Sequence, residues 1–249
     1  MKALILAGGR GKRLGELSQE QNKCMVEIMN KPLIGYSLDC AVQNNVSEIV
    51  VVVGYRKEDI INAFGGEYKG TSIKYVIQEE QKGLVHAIEC AKEAIDKEDF
   101  MLLLGDELMT GSKHSEMIKK YRDKGLFAAC GVLRVDDESL IKKTYAIQEK
   151  EGRIIDLIEK PDIEKIKDTG LIMRNIMGTG NCIFSHEIFD YIAKTPINQK
   201  RGEKELPDLI KCAINDGRIV EPVFICDKYL NINIKEEIKE AGSSFFHLS

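Results

Sequence analysis

Short solid apolar runs alternate with segments whose apolar residues recur at helical spacing, and that alternation sets the expected elements. Ala3 to Ala7 reads as a buried strand and Glu48 to Val53 as a second, β-branched one. Between them Pro32 opens a helix with Ile34, Leu38, Ala41 and Val42 on one face, so the three segments form a βαβ unit. Gly54 closes the second strand, Lys57 to Phe64 is a short helix stopped by Gly65-Gly66, and Ile73 to Ile77 is a third strand. Gly83 opens a helix carrying Leu84, Ala87, Ile88, Ala91 and Ile95, followed by the apolar strand Phe100 to Leu104. Strands apolar on both faces, joined by amphipathic helices, imply a mostly parallel sheet covered on both sides.

Beyond about residue 130 the rhythm changes. Tyr145 to Gln148 and Arg153 to Ile158 flank Lys150-Glu151-Gly152 and read as a hairpin. Gly178 to Phe184 is a strand, His186 to Ala193 a helix, Leu206 to Asp216 another helix, and Val220 to Ile225 a last strand. Lys194 to Lys204 has no periodic pattern and is expected to be a mobile flap. No repeat or linker divides the 249 residues, so a single domain, 1–249, is expected.

Composition narrows the function. A net charge of −4 gives no global attraction for nucleic acid or an anionic membrane, so an anionic ligand must be held locally. No apolar run approaches ~18 residues, and Lys2 with one short strand leads straight into charge, so a cytoplasmic protein is expected. Seven scattered cysteines without a C-x-x-C pair argue against a disulfide framework or a structural zinc site. Of the four histidines only His86 stands out, and a packing or capping role is the expectation for it.

The chemistry concentrates where the first strand breaks. Leu6-Ala7-Gly8-Gly9-Arg10-Gly11-Lys12-Arg13-Leu14 interleaves glycines with cations, and Lys23 follows. Glycine lets backbone N–H groups approach a phosphate, and Arg and Lys supply charge. The loop is not a P-loop, since Arg13 stands where a Ser or Thr would hold the metal. It is not a dinucleotide fingerprint either, since Leu14 replaces the third glycine. Asp106 follows the strand Met101 to Leu104 at the sheet edge where α/β folds bind ligands, and a carboxylate there suits Mg²⁺.

Taken in order, these residues resemble the sugar-phosphate nucleotidylyltransferases, also called nucleotide-sugar pyrophosphorylases, of the glucose-1-phosphate thymidylyl- and uridylyltransferase kind. The resemblance is carried by Gly8-Gly9-Arg10-Gly11-Lys12-Arg13-Leu14, Asn22-Lys23, Lys31-Pro32-Leu33-Ile34, Gln78 ahead of Gly83-Leu84-Val85-His86-Ala87, Leu104-Gly105-Asp106, Glu159-Lys160-Pro161, Gly180, and Leu230-Asn231-Ile232-Asn233. It runs from Met1 to Ala241. Asn22 departs from the usual proline, Lys12 from Thr or Ser, Ala146 from a frequent glycine, and Asn231 from the common Asp.

The resemblance implies a Rossmann-like three-layer α/β/α nucleotidyltransferase fold, with a nucleotide-binding half at 1–110 and an acceptor-binding half at 111–249. It implies Mg²⁺-dependent attack of a sugar 1-phosphate on the α-phosphorus of a nucleoside triphosphate, releasing pyrophosphate, with no nucleophile from the protein. Arg13, Lys23 and Asp106 would be catalytic; Leu6, Ala7, Gly8, Gly9, Gly11, Gln78 and Gly83 would bind the nucleotide. Tyr145, Glu159, Lys160 and Gly180 would bind the acceptor, and Asp106 with Asn231 the metal. The expected partners are these small molecules, with no nucleic acid and no membrane; homo-oligomerisation stays open. Two other readings also stay open: a cytidylyltransferase for a non-sugar phosphate such as phosphocholine, and a catalytically silent nucleotide-sugar-binding module.

Overall fold

The computed structural model describes residues 1–11, 21–162 and 175–241. The chain forms two compact units, one built from residues 1–81, 86–112 and Cys226 onward, the other from 82–85 and 113–225.

In the first unit, β1 (Lys2–Ala7) leads through α1 (Leu33–Gln43) to β2 (Ile49–Val53), then through α2 (Lys57–Phe64) to β3 (Thr71–Ile77). α3 (Leu84–Cys90) precedes β4 (Phe100–Leu104) and the short β5 (Glu107–Thr110). β1 lies parallel to both β2 and β4, and β2 parallel to β3, which gives the expected parallel sheet. Every residue of β2 is buried, as a run of Ile and Val flanked by strands on both sides requires. Leu6 stands opposite Leu104 in register, so the glycine loop and Asp106 leave the sheet from the same edge.

The second unit is mixed. α4 (His114–Lys124) precedes β6 (Ala128–Arg134), and β7 (Tyr145–Lys150) forms the expected hairpin with β8 (Arg153–Glu159). β9 (Ile176–Phe184) is antiparallel to both β7 and β6, and after α5 (Leu206–Asn215) comes β10 (Val220–Phe224), parallel to β6. The segment expected to be an unpatterned flap is a small hairpin instead, with Ile197–Asn198 antiparallel to Glu203–Lys204. Two-residue strands are too short to carry a period, which is why no pattern showed.

The chain then rejoins the first unit. β11 (Lys228–Asn231) runs antiparallel to β5, with Asn231 opposite Glu107, and α6 (Lys235–Glu240) follows. A separate small core of Val26, Ile28, Leu33, Leu108, Ile232 and Ala241 joins the turn after Lys23, the strand after Asp106 and the segment around Asn231. Three distant parts of the sequence are thereby held together by apolar burial, which orders the polar residues beside them.

Candidate active site

Leu6 and Ala7 end β1 with their carbonyls occupied: Leu6 accepts from the Gly105 N–H at 3.0 Å and Ala7 from Asn22 Nδ2 at 3.3 Å. Gly8 accepts from the Tyr55 N–H at 3.2 Å, and a Cβ on it would lie 2.9 Å from Gln78 Oε1. Gly11 has φ +60°, and a Cβ there would meet the Lys23 side chain at 2.9 Å, so the loop lies directly on the lysine stem. Gly9 faces open space, and the Arg10 guanidinium stands 5.8 Å above the Tyr55 ring. Lys12 and Arg13, the latter expected to be catalytic, lie outside the described residues.

Lys23 sits on a single 3-10 turn, Lys23–Met25, capped by Asn22. Asn22 is fully buried and hydrogen-bonded through both its side chain and its backbone. Its Oδ1 accepts from the Cys24 N–H at 2.8 Å, its Nδ2 donates to Tyr55 O at 2.7 Å and Ala7 O, and its N–H donates to Asp59 Oδ2 at 2.8 Å. Its φ of −61° is one that proline adopts, so the amide takes proline's place without changing the backbone and adds side-chain bonds. The Arg56 bond to Asp59 holds that carboxyl below its usual range.

The turn delivers Lys23 Nζ to Asp106 Oδ2 at 2.5 Å and to Asn233 Oδ1 at 3.2 Å. Asn233 Nδ2 in turn donates to Asn231 Oδ1 at 2.7 Å. The lysine expected to be catalytic and the expected metal ligands are thus linked through one amide, that of Asn233, which sequence reasoning did not single out. The Asn233 N–H donates to Glu237 Oε2 at 2.6 Å and the Ile232 N–H to Asp106 O at 3.0 Å, which fixes this segment. Tyr229 donates to buried Glu107 at 2.5 Å, and burial followed by the Glu107 charge pushes its hydroxyl pKa up, so it stays a donor. Burial likewise pushes the Cys24 thiol up, leaving it a neutral neighbour of the pair.

Asp106 and Asn231 offer oxygen donors, which suits a hard cation completing its shell with phosphate and water oxygens. Among the described residues no group of three or more His, Cys, Asp or Glu is gathered to hold a metal, so those remaining ligands would have to come from substrate and solvent.

Gln78 is buried at the end of β3, and its Nε2 lies 3.0 Å from His86 Nδ1. His86 therefore contacts a residue expected to bind the nucleotide. Gly83, immediately ahead of α3, has φ +92°.

The second unit gathers the expected acceptor residues. Lys160 Nζ is 3.2 Å from Glu159 Oε1, and Arg201 Nη1 is 3.3 Å from the same oxygen. Burial pushes the Glu159 carboxyl up, against the charges of Lys160 and Arg201. Arg201 also reaches Glu203 at 2.6 Å and Glu205 at 3.0 Å, an ion cluster invisible in sequence because the hairpin that carries it showed no pattern. Tyr145 is buried, its hydroxyl donating to Thr179 O at 2.8 Å, so its ring is a wall rather than a reaching donor. That ring lies on Gly178, where a Cβ would collide with it. Gly180, expected in the sugar pocket, lies on the same buried strand.

A parallel sheet whose loop edge carries glycines, a buried lysine and a carboxylate beside amide oxygens is the arrangement of an enzyme that handles nucleoside phosphates. The nucleotidyl transferase family model matches residues 2–241, and the chain belongs to that family. It is 34% identical over 241 residues to the UTP–glucose-1-phosphate uridylyltransferase AglF of Haloferax volcanii, covering 97% of this chain and 95% of that one. It is 29% identical to a glucose-1-phosphate thymidylyltransferase of Streptomyces griseus, covering 90% of this chain and 60% of the relative. A UDP-glucose pyrophosphorylase solved with UDP-glucose shares the fold, with a TM-score of 0.86 at 24% identity over 98% of both chains. No helix among the described residues is long and apolar enough to cross a membrane.

Proposed function

We propose that this protein transfers a nucleotidyl group from a nucleoside triphosphate to a sugar 1-phosphate, giving a nucleotide sugar and pyrophosphate. The observation that carries the reading is the chain of contacts from Asp106 through Lys23 and Asn233 to Asn231. The uridylyl- and thymidylyltransferase relatives support it. A binding-only site would gain little from holding a buried cation against a metal-ligand carboxylate.

The acceptor phosphate oxygen is itself the nucleophile, so the protein's work is positioning and charge stabilisation. Gly8, Gly9 and Gly11 turn backbone N–H groups to the triphosphate. Lys23 exchanges its Asp106 partner for phosphate oxygens and neutralises charge that builds around the α-phosphorus. Mg²⁺ held by Asp106 and Asn231 would supply Lewis-acid polarisation of the phosphoryl oxygens. Lys160 pairs with the acceptor phosphate, and Glu159 accepts from a sugar hydroxyl. Arg13 is proposed to clamp the leaving pyrophosphate with its planar fork.

The test is a pyrophosphate-release assay across the nucleoside triphosphates and a panel of sugar and alcohol phosphates with Mg²⁺. Turnover confined to sugar 1-phosphates supports the reading. Turnover only with an alcohol phosphate, or none anywhere, overturns it.

A further inference from the structure

We propose that Asn233 is a positioning residue that takes its own orientation from Lys23 and locks the Asn231 side-chain amide, so that the Asn231 oxygen rather than its nitrogen serves the metal. The inference rests on the nucleotidyl-transfer reading above, with Asn231 as a metal ligand, and deepens it by showing how a neutral amide is held ready for that task.

The two ends of a side-chain amide have the same size and shape, so only the neighbours decide which end is oxygen. An ammonium donates and never accepts. Lys23 Nζ lies 3.2 Å from Asn233 Oδ1, and that contact settles the Asn233 amide with its nitrogen on the other side. From there Nδ2 donates to Asn231 Oδ1 at 2.7 Å and to the Asn231 main-chain oxygen at 3.3 Å, so it grips the residue by both oxygens. The Asn233 backbone is itself anchored, its N–H donating to Glu237 Oε2 at 2.6 Å. At the far end of the Asn231 amide the Tyr229 hydroxyl is a second side-chain partner. That hydroxyl gives its one hydrogen to Glu107 Oε1 at 2.5 Å, so it accepts from Asn231 Nδ2. The bonds therefore all run in one direction, from the ammonium of Lys23 to the carboxylate of Glu107, and bonds aligned in this way reinforce one another.

A carboxylate ligand needs no such device, because its two oxygens are equivalent and a half-turn changes nothing. An amide has one oxygen that can bind a hard cation and one nitrogen that cannot, so a half-turn removes the ligand. The contacts on either side of Asn231 forbid that half-turn, and they turn its oxygen to the end of the site that holds Asn233 and Lys23. A carbonyl oxygen has two lone pairs, so the bond from Asn233 leaves the second for a metal. Outer hydrogen-bond partners that orient a ligand typically set about 10–100-fold of a site's metal affinity.

The experiment measures the binding of Mn²⁺ alone, from the electron paramagnetic resonance signal of the free ion, with circular dichroism as the check on folding. Asn233→Asp and Asn233→Ala are made in the full chain and again in an Asn231→Asp background. Asn233→Asp is the discriminating variant. It adds a negative charge and draws Lys23 away from Asp106, so charge alone predicts tighter Mn²⁺ binding. Orientation predicts the reverse: an acceptor replaces the Nδ2 donor, two oxygens confront each other, and the Asn231 oxygen is driven from its place. Mn²⁺ affinity should fall about tenfold in Asn233→Asp and by a smaller factor in Asn233→Ala. In the Asn231→Asp background neither change should weaken Mn²⁺, since a carboxylate offers an oxygen either way round. Unchanged or tighter binding in Asn233→Asp, losses that persist in the Asn231→Asp background, or a wild type that binds no Mn²⁺ would each overturn the proposal. Should Asn233→Asp not fold, a loss in Asn233→Ala that vanishes in the Asn231→Asp background upholds it, and a loss of equal size in both backgrounds overturns it. The expected pattern of Mn²⁺ affinities in a protein that releases no pyrophosphate with any acceptor would uphold Asn233 and overturn the transferase reading instead.

Discussion

Lys23 Nζ meets Asp106 Oδ2 at 2.5 Å, with 8% of the lysine side chain and 22% of the aspartate exposed. A cation this deeply buried is tolerated because the carboxylate and the Asn233 carbonyl face it. The same ammonium is available to a phosphate, which offers more charge and more acceptors than one carboxylate.

Lys23→Met keeps the stem that packs under Gly11 and removes the charge. Turnover should fall about 10²–10³-fold, the usual cost of deleting one preorganised electrostatic group at a reacting centre. Far-ultraviolet circular dichroism should be unchanged. Turnover within a few-fold of wild type in the folded variant would remove Lys23 from the reaction.

Asp106→Asn tests the metal. The variant preserves shape and withdraws the carboxylate charge that faces Lys23. The Mg²⁺ concentration for half-maximal rate should rise at least tenfold, and EDTA should abolish wild-type turnover reversibly. An Mg²⁺ dependence identical to wild type would exclude Asp106 as a ligand.

Asn22→Ala should cost about 1–3 kcal/mol, because Tyr55 O and the Cys24 N–H lose their partner together. For a chain of this size that lowers Tm by roughly 2–4 °C per kcal/mol. The rate should fall with it, since the turn that aims Lys23 loses its cap. A melting temperature within a degree of wild type would mean that water replaces the amide.

The parallel sheet, the loop and Asp106 were legible in sequence because each depends on neighbours in the chain. A β-branched run followed by glycine, as in Ile49 to Gly54, sets a strand and its end whatever else surrounds it. Asn233 was not legible, since its partner Lys23 lies 210 residues away and only the small core of Val26, Leu108 and Ile232 brings them together. Arg201 escaped for a different reason: its hairpin is held by ion pairs rather than by an apolar face, and ion pairs leave no period. Asn22 was visible as a departure from proline, but the bonds to Asp59, Ala7 and Tyr55 that justify it are tertiary.

A last prediction concerns acid stability in the second unit. Glu221 is buried on β10, and burial alone would push its carboxyl up. Lys124 at 2.8 Å and Lys120 at 2.9 Å more than offset that, and the net direction is down from the ordinary value of 4.5. A carboxylate depressed in the folded state binds protons more tightly when unfolded. Its contribution is therefore complete above pH 4.5 and drains away as the pH falls through the lower folded value. Glu221→Gln cannot titrate, so the wild type's advantage over it, read from urea midpoints, should be constant near neutrality and shrink steadily below 4.5. Partial exposure of both lysines lets salt screen the pairs, so 1 M NaCl should reduce the advantage at pH 7. An advantage that grew on acidification would require a folded carboxyl above its ordinary value, with burial outweighing both lysines.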